Sequence, residues 1–141
     1  MKLMTASKLE NLFTQYQKAF LAYDIEAVMG CYHLPCTLNT PDKIVLLANE
    51  SDCHNEFSEI FAQLKSVATS NVLAKKASYE QISEQLYLVC IDWDFIDGQG
   101  DVFADFAAVY HVLDIAGTLK IINVISHSLE SSLTLAKPLD W

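Results

Sequence analysis

The chain predicts an α+β fold in which three N-terminal helices pack on one face of a strongly curved, mixed or antiparallel sheet. Three features of the sequence lead there. Up to Val67 the apolar residues recur at helical spacing, interrupted once by an extended, proline-containing stretch. After residue 70 the period becomes two and holds to about residue 129. The turn residues then separate long strands from one another, with no helix between them. A length of 141 residues with 52% hydrophobic content fits a single domain, 1–141, with a core of its own.

Ser7-x-x-Glu10 reads as a capping box at the start of the first helix. Leu9, Leu12, Phe13, Tyr16 and Phe20 follow at steps of three and four, one apolar stripe. Asp24 opens a shorter second helix carrying Ile25, Val28 and Met29, with Gly30 as its stop. Cys31-x-His33-x-x-Cys36 has the look of half a metal site. A structural zinc site needs four ligands, however, and Cys53-His54 is the one other nearby pair. Pro35 and the turn chemistry of Thr40-Pro41-Asp42-Lys43 make 31–47 a hairpin, and no metal is expected.

Asn49, Ser51 and Asp52 compete to cap a third helix bearing Phe57, Ile60, Phe61, Leu64 and Val67. Four strands follow, near 72–82, 86–96, 102–114 and 118–129, with turns at 97–100 and at Ala116-Gly117. The tail from Glu130 reads as a short irregular cover, too short to span the sheet.

With two-residue turns at Gly98-Gln99 and Ala116-Gly117, alternation places Phe95 opposite Val102, Tyr87 opposite Tyr110, Tyr110 opposite Asn123 and Phe106 opposite His127. One face then holds Tyr87, Trp93, Phe106, Tyr110, Asn123 and His127 among aliphatic residues, and the helices are expected to cover it. The same register opposes Asp92 and Asp105 on the other face, a solvated rim rather than an acid–base pair. Leu88, Val109, Ile122 and Val124 fall on that convex face as an apolar strip, which predicts a homodimer. A single-residue bulge would exchange the two sets.

The element order, with FTQYQKAFLAYDIEAVMGCYHLPCTL near the start and AAVYHVLDIAGTLKIINVISH near the end, resembles the nuclear transport factor two-like superfamily. That group includes ketosteroid isomerases and SnoaL-like polyketide cyclases. The resemblance covers residues 7–129 and implies a cystatin-like cone with a pocket at its wide end. In the isomerases a catalytic tyrosine lies eight residues before the aspartate that opens the second helix; Tyr16 stands so to Asp24. Their general-base aspartate precedes a proline after the first strand, where this chain has Thr40 before Pro41. Their second aspartate lies on a late strand similar to the one around Tyr110, and this chain has none there. A threonine does not abstract a carbon-bound proton at neutral pH without a strong base beside it, so isomerisation by that route is not expected.

The net charge of −9 and nine unclustered Lys and Arg argue against nucleic acid and anionic membranes as partners. No Walker loop, G-x-S-x-G or G-x-G-x-x-G is present, and no cofactor is expected. The N-terminus has no signal-peptide pattern and the four cysteines lack disulfide-framework spacing, which predicts free thiols in the cytoplasm. The expected function is binding of a small apolar or aromatic molecule by Tyr16, Tyr87, Trp93, Phe106, Tyr110, Asn123 and His127. The alternatives are a cofactor-free isomerase, cyclase or lyase using His127 and Tyr16, and an interaction adaptor without a working pocket.

Overall fold

The computed structural model describes residues 4–141. Helix α1 runs Met4–Ala22 and buries the predicted stripe of Leu9, Leu12, Phe13, Tyr16 and Phe20. The capping box is corrected: Ser7 lies inside the helix, and Glu10 is buried with its carboxylate accepting the Asp140 N–H at 2.8 Å. Helix α2, Ile25–Met29, is capped as expected, Asp24 accepting from Ala27 N–H at 3.1 Å. Asn49 wins the competition at α3, Glu50–Ser66, by accepting from Asp52 N–H at 2.9 Å.

The opening stretch is a hairpin of β1, Tyr32–Asn39, and β2, Ile44–Leu47, closed by Thr40 N–H to Lys43 C=O at 2.9 Å. The long strands are β3 Asn71–Gln81, β4 Leu86–Ile96, β5 Val102–Ile115 and β6 Thr118–His127, followed by a short β7, Lys137–Pro138. They form one seven-stranded sheet in the order β2-β1-β6-β5-β4-β3-β7. Only β1 against β6 is parallel, which makes the sheet mixed. Pro35, lacking an N–H, falls where β1 parts from β6 between Tyr32 and Thr37.

Two expected registers are corrected. The β4–β5 connection is not a two-residue turn: Asp97 N–H bonds Asp101 C=O at 2.8 Å, and the Asp97 carboxylate accepts from Gln99 and Asp101 N–H. The longer loop and a bulge before Ile96 move the ladder by two residues, so Phe95 faces Ala104, Trp93 faces Phe106 and Tyr87 faces Val112. A shift of two preserves the faces. It also puts Asp94, not Asp92, opposite Asp105, while Asp92 faces Ala107. Asp94 lies 3.4 Å from the Lys75 ammonium, and Asp92 accepts the Ser132 hydroxyl at 2.6 Å.

At the β5–β6 turn both Ala116 and Gly117 take positive φ, as a two-residue hairpin turn requires, and Val112 faces Ile121 as expected. Ile122 is then left over as a bulge, because His111 faces Asn123 and Tyr110 faces Val124. From Asn123 onward every side chain is on the face opposite to the expected one. Asn123, Ile125 and His127 join the convex side; Val124 and Ser126 join the concave side under the helices.

The tail also differs from expectation, for it crosses half of the convex face. A 3₁₀ turn, Leu129–Ser131, packs over β5, and Ser132 then reaches Asp92 on β4. Leu135 N–H donates to Ser78 Oγ on β3 at 2.9 Å. After β7 pairs with the β3 edge, Leu139 N–H bonds Ala77 C=O at 2.9 Å, and Trp141 lies against α1. Val109, part of the expected bare convex strip, and Cys90 opposite it on β4 are therefore buried.

Candidate functional site

Helices α1 and α3 cross the concave side of the sheet and leave a cavity of about 470 Å³ between them and strands β1, β2, β4, β5 and β6. Its walls are mostly rings, with Phe20, Phe57, Phe95 and Phe106 above a floor of Tyr16, Tyr32 and Tyr110. Leu38, Val45 and Val124 supply the aliphatic part. The mouth carries Thr40 and Lys43 from the hairpin turn, Glu56, Glu59 and Gln63 from α3, and Phe103 from the start of β5. Phe103 meets Phe95 edge to face with ring centroids 6.2 Å apart.

The floor is a directional chain of donors. The Trp93 indole N–H donates to the Tyr110 hydroxyl at 2.8 Å, and Tyr110 donates in turn to the Tyr16 hydroxyl at 3.3 Å. An indole nitrogen only donates, so the direction is set at the tryptophan end. Tyr32 completes the floor as its third buried phenol. Because its oxygen accepts from Tyr110, Tyr16 has its own proton to offer to the cavity. Burial pushes the Tyr16 pKa up to about 12, and burial likewise carries Tyr32 and Tyr110 well above the ordinary phenol value. At neutral pH the floor is an uncharged donor, suited to a ligand oxygen or nitrogen with a free lone pair.

Of the residues predicted for the site, Tyr16, Phe106 and Tyr110 line this cavity. Trp93, 1% exposed, stands behind Tyr110 and orients it. Tyr87 is buried on the same face opposite Val112, outside the cavity lining. Asn123 and His127 are corrected: the Ile122 bulge turns both to the convex side. There Asn123 accepts the Asn39 amide at 2.8 Å and the Thr37 hydroxyl, and its own amide meets His111 Nδ1 at 3.0 Å. His127 Nδ1 lies 3.2 Å from the backbone oxygen of Ser128.

The lining residues not foreseen are Tyr32, Phe57, Phe95 and Phe103, among others. Phe57 was legible only as a core position of the third helix, and Tyr32 carried no signal of its own. Phe103 needed the bulge beside Ile96, which lets consecutive residues Phe103 and Ala104 both reach the cavity. Thr40 does sit at the mouth, but its hydroxyl accepts the Asp42 and Lys43 N–H groups at 3.3 Å as a turn cap.

Cys31, Cys36 and Cys53 are buried, whereas His33 is exposed, and the Cys31 thiol donates to the Ala27 carbonyl at 3.7 Å. Burial pushes the pKa of Cys31 and Cys53 up to about 11 and that of Cys36 up to about 12, the opposite of what a thiolate ligand or nucleophile requires. Among the described residues no helix is long and apolar enough to cross a membrane.

The family model for an NTF2-like protein (DUF6841) matches residues 7–129. Among solved structures, a cystatin-like domain of unknown function from Nostoc punctiforme superposes with a TM-score of 0.73 at 16% identity, covering 95% of this chain and 82% of that one. An NTF-2-like protein of unknown function from Shewanella oneidensis gives 0.68 at 16% identity, over 89% and 100% of the two chains. A ketosteroid isomerase-like protein from Erwinia carotovora gives 0.67 at 15% identity, over 91% and 98%. At these identities the likeness is one of fold. No curated protein matches the sequence.

Proposed function

We propose, from the premise that the chain belongs to the NTF2-like family (DUF6841), that its cavity binds a small, neutral, largely apolar or aromatic molecule with a hydrogen-bond acceptor at its inner end. The single observation that carries this reading is the donor chain Trp93–Tyr110–Tyr16 ending in an aromatic cavity. Apolar walls with a few converging polar groups are the usual build of a small-molecule site. A buried charge on the ligand would find no partner at the floor, where desolvation is costly.

The isomerase, cyclase or lyase alternative relied on His127 as acid–base group, and that imidazole lies on the far side of the sheet from Tyr16. Glu56, Glu59 and Lys43 are the ionisable groups at the mouth, away from the floor tyrosines. Binding is therefore the reading we favour over turnover. Native mass spectrometry against a panel of neutral aromatic ketones tests it. A one-to-one adduct should form with the unmodified protein and vanish in Val124→Trp, which fills the cavity. Absence of any adduct across the panel would defeat the reading.

We also propose a homodimer through the part of the convex face that the tail leaves open. The supporting observation is a row of side chains on β2, β1 and β6, with Ile44, Leu46 and Ile125 exposed by 76%, 61% and 41%, around the uncharged Thr37 and Asn123. For a chain of net charge −9, two copies meet with least repulsion through an uncharged patch. This replaces the strip foreseen from sequence, in which Val124 faced outward. Light scattering should report a dimer that Ile125→Lys dissociates. The reading includes a reducing, cytoplasmic setting, supported by four free and buried thiols.

A further inference from the structure

We propose that Trp141 is a positioning residue for the cavity floor, acting through Phe13 and Gln17. Each of the last three residues is bonded to the body of the protein. Leu139 N–H bonds Ala77 on β3, Asp140 N–H bonds the Glu10 carboxylate on α1, and the Trp141 indole N–H donates to Gln17 Oε1. The other end of the Gln17 amide donates to Val72 C=O on β3 at 2.9 Å. One side-chain amide therefore ties the tail, α1 and β3 together, at the residue next to Tyr16.

The ring contacts continue the path. Trp141 lies nearly parallel to Phe13 at 6.1 Å between centroids. Phe13 in turn meets Tyr110 edge-on at 4.8 Å and Tyr16 at 5.8 Å. Only one ring separates the terminal indole from the two rings whose hydroxyls form the floor. That floor bond, at 3.3 Å, is already at the long end of the useful range. A roll of α1 by about 10° carries a side-chain tip roughly 6 Å from the helix axis by about 1 Å, enough to break the Tyr110–Tyr16 bond. Trp141 and Gln17 fix the roll of α1 against β3. The tail thereby sets the direction in which Tyr16 offers its proton.

In its ligand-binding consequence the inference rests on the cavity reading above, so its test has one arm that needs no ligand. The protein has two tryptophans, and Trp141→Ala and Trp141→Phe both leave Trp93 as the only indole. Hydrogen exchange of the Trp93 indole N–H, followed by NMR, then reports on the floor directly. It should quicken about tenfold in Trp141→Ala, the scale of one lost hydrogen bond, and by less in Trp141→Phe, which keeps the ring stack and loses the bond to Gln17. Equal exchange in all three proteins overturns the inference whatever the cavity binds.

The second arm uses prodan, a neutral naphthyl ketone whose emission moves to longer wavelength when its carbonyl accepts a hydrogen bond. The unmodified protein and Trp141→Phe should bind it with the red-shifted emission. Tyr16→Phe and Trp141→Ala should lose that shift and bind about five- to tenfold more weakly. Full red-shifted binding by Trp141→Ala, with Tyr16→Phe altered, overturns the positioning role. Failure of the unmodified protein to bind prodan or any ketone of the panel, with faster Trp93 exchange in Trp141→Ala, keeps the positioning role and defeats the cavity reading instead.

Discussion

Removing one oxygen atom, in Tyr110→Phe, should cost far more than its size suggests. The Tyr110 ring is fully buried and so is Trp93, and the hydroxyl accepts the Trp93 indole proton while donating to Tyr16. Phenylalanine fills nearly the same space, so the packing loss is small. The Trp93 N–H, however, is left in the core without a partner, which costs about 1–3 kcal/mol. The bond to Tyr16 adds about 1 kcal/mol, for a total near 2–4 kcal/mol. At about 3–5 °C per kcal/mol for a domain of this size, the melting temperature should fall by about 6–20 °C. Trp93→Phe removes the donor itself, so in the double variant no donor is stranded. The double variant should therefore be less destabilised than the sum of the singles by about 1–2 kcal/mol. Urea and thermal unfolding followed by circular dichroism give all four corners of the cycle. Additive losses, or a Tyr110→Phe protein melting with the unmodified one, would refute the donor chain.

Val124→Lys and Ile125→Lys separate the two faces of β6: the first should strongly destabilise by placing a charge in the cavity wall, and the second should keep the circular dichroism of the fold, with a melting temperature lowered only by the loss of the dimer. None of the four thiols should react with a thiol reagent at pH 8 in the native state, and all four should react in denaturant without reductant. Stability should decline in alkali: Cys31, Cys36, Cys53 and Tyr16 all have raised folded pKa values, so their contribution is intact below the ordinary thiol and phenol range and is lost as pH climbs from about 9 towards about 11–12. A melting temperature independent of pH across that window would contradict the burial of these groups. Gly98→Ala should cost about 1–3 kcal/mol in chemical denaturation, because a Cβ there would sit 2.8 Å from that of Ala68 and loosen the β4–β5 turn from the end of α3.

The helices and the hairpin were legible because their signals are local. The stripe Leu9–Phe20, the Asp24 cap and the turn at Thr40–Lys43 each depend on residues within a few positions of one another. The two ladders were not legible to the same degree. Asp97 looks like any turn residue, and only its double capping of Gln99 and Asp101 reveals a longer loop. Ile122 carries no mark of a bulge, neither glycine nor proline. What holds the extra residue is the bonding of Asn123 to Thr37 and Asn39 on β1, a strand over eighty residues earlier in the chain. The candidate site suffered in proportion: Tyr16, Phe106 and Tyr110 precede the bulge and line the cavity, while Asn123 and His127 follow it and do not. The tail was misjudged for a related reason. Its grip on the sheet is by single backbone and hydroxyl bonds to Asp92, Ser78 and Ala77, which have no periodicity to detect.

The unpaired Ile122 has an evolutionary corollary. Losing that one codon would leave every β5–β6 pair as it stands, with His127 still opposite Ala107 on the convex side. Were Ile122 instead to take the place of Asn123 opposite His111, the strand beyond it would slide by one residue and bring His127 opposite Phe106, at the wall of the cavity. The same slip would carry Val124 and Ser126 out to the surface. The bonds that Asn123 makes with Thr37 and Asn39 oppose it, so replacing that one asparagine, outside the cavity, frees the register. In NTF2-like chains, the passage between a ligand-holding pocket and one equipped for acid–base chemistry can turn on strand register, with no residue in the pocket needing to be replaced.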